Sequence, residues 1–255
     1  MTGFLTGLRV ELVTLTRSPN SLLALATMPL TTLVFLATVI HAGRSDLIGH
    51  ALVAPVLMAQ WAMALLVAGE LIETERSLGT LELLVASPTS FPVLLSGRIA
   101  AVTAIGPLAF VEAWAVATIG FGIDVHVAHP LEFALVAVAG AFAAAGWATV
   151  LSAALVLAGP VYLLQNTLTF PFYVLAGVLV PVSFLPGALQ WPSRGLFLWW
   201  SADLLRDAYD AAAVDHFAWR IAALVGLGTA GFILGYGLVS RSLATLRSSG
   251  RLSLT

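Results

Sequence analysis

The sequence predicts an all-α, polytopic membrane protein with six transmembrane helices. Three observations carry this. Of 255 residues, 60% are hydrophobic and only 9% are charged, against about 25% charged in an ordinary soluble domain. Mean hydropathy is +1.00. Six apolar stretches, each near the roughly 20 residues needed to cross a bilayer as a helix, fall at 20–40, 50–70, 97–121, 131–157, 161–181 and 217–240.

Residues 1–18 precede the first stretch. Leu5, Leu8, Leu12 and Leu15 recur at helical spacing and Arg9 and Arg17 flank them, so this segment reads as an interfacial amphipathic helix. Acidic Glu11 and the lack of a small-residue cleavage site argue against a cleaved signal peptide. Pro19 separates this helix from the first span. Gly159-Pro160 separates the fourth and fifth, because Gly and Pro favour a turn; the alternative is one kinked helix and five spans. Segment 182–216 holds Pro186, Gly187, Pro192 and Gly195, too broken for a straight span. Irregular backbone at membrane depth survives only where protein or a wet cavity satisfies it. We read it as an outer re-entrant pair of short helices, with Trp191, Trp199 and Trp200 at headgroup level.

Orientation follows the arginines. Seven (Arg9, Arg17, Arg76, Arg98, Arg241, Arg247, Arg251) fall on one side and four (Arg44, Arg194, Arg206, Arg220) on the other. Both termini are therefore expected in the cytoplasm of a cell that carries the chain in its plasma or inner membrane.

Composition also excludes chemistry. There is no Cys, so no thiolate nucleophile and no Cys-ligated metal. All 11 basic residues are Arg; a phosphate-binding loop needs its Lys, so the chain is not expected to hydrolyse nucleotide itself. A net charge of −2 gives no basis for nucleic-acid binding. H-E-x-x-H, G-x-S-x-G and an acid pair within a span are all missing. His126-x-x-His129 lacks a third ligand and reads as structural.

The exception to this apolar chain is the loop 73–90, Glu73-Thr74-Glu75-Arg76-Ser77-Leu78-Gly79-Thr80-Leu81-Glu82-Leu83-Leu84 and onward to Ser87-Pro88. Leu78, Leu81, Leu84 and Val85 share one helical face, with Glu75, Thr80 and Glu82 on others. Ser77 or Thr80 suits the helix start and Ser87-Pro88 the end. The helix either covers the ends of the spans or docks on a cytosolic partner.

Glu75-Arg76-x-x-Gly79-Thr80-Leu81-Glu82-x-Leu84-x-x-Ser87-Pro88, with Gly97-Arg98 opening the next span, resembles the coupling-helix signature of ABC-2-type permeases, the membrane subunits of ATP-binding-cassette exporters. Within that family the chain looks nearest the small drug- and antibiotic-resistance permeases. The resemblance implies a separate ATPase subunit that binds ATP and Mg, a second permease subunit (the same or a different chain), and export of a drug, antibiotic, lipid or similar amphipath. It implies that Leu78, Leu81 and Leu84 fill the ATPase groove, that Glu75, Arg76 and Glu82 orient it, and that Gly79 permits close backbone approach beside Thr80. None of these is catalytic, and no cofactor or metal is expected in the chain itself.

Other polar groups lie within spans. Glu112 in the third is protonated or paired in the bundle, or serves a proton or a cationic substrate. Gln165, Asn166 and Thr169, with Phe170 beside them, either glue helices together or line a path. Ala141, Ala144, Ala145 and Gly146 fit close helix packing. Asp203–Arg206 and Arg206–Asp210 have the spacing of a solvated charge ladder. Besides the transport subunit, a membrane enzyme or passive channel built on Glu112 is the alternative function.

Overall fold

A computed structural model of the chain describes residues 2–17, 19–44, 47–77, 79, 91–157, 161–179 and 181–249. Among these the structure is all-helical. The helices are α1 (Thr2–Arg17), α2 (Pro19–His41), α3 (Ile48–Ser77), α4 (Phe91–Thr103), α5 (Leu108–Ala115, running into a π-turn at Val116–Gly120), α6 (Pro130–Leu157), α7 (Val161–Leu175), α8 (Gly187–Ser193), α9 (Phe197–Asp207) and α10 (Phe217–Ser249). Among the described residues, four stretches are long and apolar enough to cross a membrane: Ile48–Leu65, Phe91–Gly120, Pro130–Ala153 and Phe217–Ser242. Pro29–His41 is a shorter apolar helix. Large apolar side chains such as Ile119, Leu131, Val138 and Ile233 are at least 64% exposed, as expected of surfaces that meet lipid rather than water.

Several boundaries differ from expectation, each for a local reason. The third apolar stretch is not one straight helix from 97 to 121. It begins at Phe91, with Pro92 tolerated in the first turn, and breaks after Thr103. Pro107 has no N–H, and its ring would clash with the carbonyl four residues back, that of Thr103. The backbone crosses the break on tight bonds, Gly106 N to Thr103 O and Leu108 N to Ile105 O. The helix of the fifth expected span, α7, stops at Leu175 rather than 181. Gly177 takes the left-handed conformation (φ 69°), and Val178 N bonds Tyr173 O, a glycine-type helix stop. The last helix runs on past 240 to Ser249.

Packing is led by small residues. Along the α6–α10 contact, a Cβ on Gly146 would strike the Gly228 carbonyl, and one on Gly231 would lie 2.8 Å from the Gly146 carbonyl carbon. Ala144 and Ala145 are buried beside this line. The core on the α3 side is aromatic: Trp61 stacks on Phe172 at 5.4 Å and meets Phe197 of α9 at 5.4 Å. The Tyr173 hydroxyl donates to the Met58 carbonyl at 2.7 Å, pinning α7 to α3. Through Phe197, Leu198, Leu204 and Leu205, α9 sits inside this core.

Candidate functional site

The charged stretch of the second span region begins inside a helix, not in a loop. Leu, Glu and Arg are good helix formers, and no Gly or Pro interrupts 70–77, so α3 continues to Ser77. Glu75 and Arg76 lie on its last turns, and Ser77 is its last residue. At 1.5 Å per residue, α3 runs on for about 18 Å past Leu65. Gly79 follows with φ 66°, the position and conformation that end helices without a Cβ penalty. It is exposed and a Cβ there would meet nothing within 4 Å. Leu78, Thr80, Leu81, Glu82 and Leu84 lie outside the described residues.

α4 starts at Phe91 and packs along α1. A Cβ on Gly7 would collide with the Leu94 carbonyl, and one on Gly97 with the Phe4 carbonyl. The two glycines are thus reciprocal, and the backbones meet closely. One turn on, Arg98 Nε donates to Glu11 Oε2 at 2.8 Å, with the side chains 11% and 4% exposed. The face of α1 that packs is Gly7, Glu11 and Leu15, all buried, whereas Leu5 and Leu12 are exposed. Leucine periodicity marks an apolar face and does not by itself name the face that packs on α4. The signal that would have found it is Gly7-x-x-x-Glu11-x-x-x-Leu15, one face at i, i+4, matching Gly97-Arg98.

Among the described side chains, the intramembrane candidates Glu112, Thr169 and Phe170 do not share one cavity. Glu112 is half-buried on α5, beside exposed Val111 and Trp114, and has no hydrogen-bond or ion-pair partner among the described residues. On α7, Thr169 is half-buried and engaged, and Phe170 is 67% exposed; Gln165 and Asn166 lie on the same helix. An apolar cavity of about 590 Å3 opens where α4 breaks, lined by Phe4, Thr103, Pro107, Phe142 and Phe232. None of Glu112, Thr169 or Phe170 lines it. Sequence reasoning missed Gln60, which is 3% exposed with its Nε2 unpartnered. It lies where a Cβ on Gly106 would be 2.8 Å away, so the break in α4 is backed by a buried amide.

At the other end of α3 the charges differ from the expected ladder. Asp203 and Asp207 each bind Arg220 of α10, at 2.6 Å to Nη2 and Nη1. Arg206 turns inward and donates from Nη2 to the Val178 carbonyl at 3.0 Å. Helix spacing alone could not show an arginine arriving from another helix. Burial pushes the Asp203 carboxyl up, against the pull of Arg220, and pulls the Arg206 guanidinium down. Burial also raises the Tyr209 hydroxyl to about 12. Trp199 and Trp200 are half-buried against the core, and only Trp191 of the three expected anchors is fully exposed. His129 Nε2 bonds the Ala212 carbonyl at 2.8 Å, and no group of three metal-ligating side chains occurs among the described residues.

Helix α1, the facing ends of α3 and α4, and helix α9 all fall within residues 2–209, and the family model for the ABC-2 type transporter matches that whole stretch. The chain belongs to the ABC-2 type transporter family. It is the membrane-spanning permease component of an ABC transporter. No curated protein matches the chain, and no solved structure does. The end of α3 at Ser77 and the start of α4 at Phe91, with α1 packed on it, flank the charged segment in the sequence.

Proposed function

We propose that this permease couples ATP hydrolysis in a separate cytosolic ATPase subunit to export of an amphipathic substrate such as a drug, antibiotic or lipid. In this reading the chain crosses the cell membrane six times with both termini in the cytoplasm, and two permease subunits form the path. The ATPase holds the ATP and Mg. Family membership across residues 2–209 is the observation that carries the proposal.

The geometry beside segment 78–90 supports it. A docking helix made of Leu78, Leu81 and Leu84, oriented by Glu75, Arg76 and Glu82, would be joined directly to two elements. One is α3, which ends at Ser77; the other is α4, which begins at Phe91. Because α4 is locked to α1 by Gly7, Gly97 and the Glu11–Arg98 pair, a push on the docking helix moves α1 and α4 together. The break at Gly106-Pro107 lets that lower piece tilt without moving α5 as a rigid rod. Gly79 then acts as the turn between α3 and the docking helix while leaving room for partner backbone beside Thr80. Gln165, Asn166, Thr169 and Phe170, and Glu112 on the half-exposed face of α5, would face the second permease subunit or the substrate.

Mild-detergent purification of the tagged permease from its native cell tests this. Co-purification of an ATPase bearing a phosphate-binding loop is expected. A permease that purifies alone, with full activity in vesicles lacking any ATPase, would favour a channel or membrane enzyme built on Glu112.

A further inference from the structure

The start of α3, the turn at 181–184 and helices α8 and α9 enclose a cavity of about 410 Å3. It lies at the end of α3 remote from Ser77: His50 lines it, some 25 residues or about 37 Å along the helix from Glu75. Its volume is that of a small-molecule cleft. Its lining carries both signs of charge, Arg194 and Arg206 against Asp203, Asp207 and Asp210, with Gln190 between; Asp203, like Asp207, is bound to Arg220.

These charges are unequally used. Asp207 gives one oxygen to Arg220. Arg206 spends one N–H group on the Val178 carbonyl, and its buried Nε has no partner. Arg194 lies over the Trp191 ring at 5.1 Å. Asp210 is exposed and has no ion-pair partner among the described residues. A simple anion would meet three carboxylates; a simple cation would meet two guanidiniums. The lining suits a ligand that carries both charges.

The rim specifies the rest. Phe184 (77% exposed), Leu189 and Trp191 (73% exposed) each adjoin a lining residue in sequence or contact it. Exposed aromatic and aliphatic side chains around a charged cleft fit the bilayer interface, where Trp concentrates and acyl chains begin. We propose that this cavity binds the headgroup of a zwitterionic aminophospholipid, with the phosphate on Arg194 and Arg206, the ammonium on Asp210, and the acyl chains leaving past Phe184 and Trp191. The guanidinium fork suits phosphate geometry. This site rests on the chain lying in a bilayer and not on the transport reading, so either can fail alone.

Native mass spectrometry of the purified full chain, titrated with phosphatidylethanolamine or phosphatidylglycerol, tests it. Both lipids carry the phosphate, but only the first carries the ammonium. Wild-type protein should retain phosphatidylethanolamine about tenfold better, the worth of one charge-assisted contact. Asp210→Asn should erase that preference, while Arg194→Gln should weaken both lipids. Both residues are exposed, so these variants should fold, which circular dichroism and size-exclusion profiles check. Arg206→Gln should weaken both lipids further. Equal retention of the two lipids by wild type, or an unchanged preference in Asp210→Asn, would overturn the proposal. Soluble glycerophosphoethanolamine should not displace the lipid at matched concentration; if it does, the site serves a soluble phosphoester and the lipid assignment fails.

Discussion

Removing Arg98 should reveal how firmly the N-terminal helix is tied to the coupling region. The Arg98–Glu11 separation is 2.8 Å with side chains 11% and 4% exposed. At an effective dielectric of about 20, the gross attraction at that distance is roughly 6 kcal/mol. Desolvation of both groups offsets part of it, and the usual loss on deleting one partner of a buried pair is about 3–5 kcal/mol. Arg98→Met leaves a buried carboxylate without its cation. Arg98 is engaged beyond this pair, so Glu11→Gln, which leaves Arg98 some compensation, should cost less. The double variant Glu11→Leu/Arg98→Met removes both charges and should recover most of the loss, since a buried pair exchanged for apolar groups is often near neutral. For a chain of this size each kcal/mol shifts the melting temperature by roughly 2–4 °C. Arg98→Met should therefore melt on the order of 6–20 °C lower, read by fluorescence-detected size exclusion after heating. A cycle in which the two single losses simply add in the double variant would refute the reasoning.

Three further outcomes follow from the same geometry. Gly231→Leu and Gly146→Leu should each destabilise by about 2 kcal/mol or more, because their side chains would enter backbone on the facing helix, whereas Gly237→Ala, with nothing within 4 Å, should gain up to about 1 kcal/mol of helix propensity; thermal melts compare them. Arg220→Met removes the cation that opposes the burial-driven rise of Asp203. A raised folded-state carboxyl gives stability that is full below its unfolded pKa and lost as pH rises through the folded value, so this variant should melt lower at pH 8 than at pH 5, and more so than wild type. A single Cys at Ser249, in a chain with no native Cys, should resist an impermeant thiol reagent in intact cells; labelling there would reverse the proposed orientation.

The apolar stretches made the helices legible because burial in lipid demands continuous hydrophobicity, and Pro19 and Gly159-Pro160 stand at or between observed helix ends. What escaped the sequence was mostly long-range. The break at Gly106-Pro107 was readable from Pro107 but was absorbed into one apolar run. The Arg220 pairing with Asp203 and Asp207 joins residues 13 and 17 apart on different helices, and no helical periodicity encodes it. The packing face of α1 rests on Gly7 against Gly97 rather than on leucine spacing, since close helix crossings in membranes favour small residues. Gln60 gave no local signal, since one amide in an apolar span looks alike whether it is buried or facing lipid.

The central claim, that segment 78–90 docks an ATPase and drives this permease, is tested most directly by Leu81→Asp in the purified permease–ATPase complex. Burying an unpaired carboxylate in an apolar groove costs several kcal/mol, enough to weaken association by roughly a hundredfold. Membrane insertion should be unchanged, because Leu81 lies between the apolar stretches that end at Leu65 and begin at Phe91. The account predicts normal amounts of permease in the membrane, little bound ATPase and no ATP-driven export. Wild-type ATPase binding together with wild-type export in Leu81→Asp would contradict it.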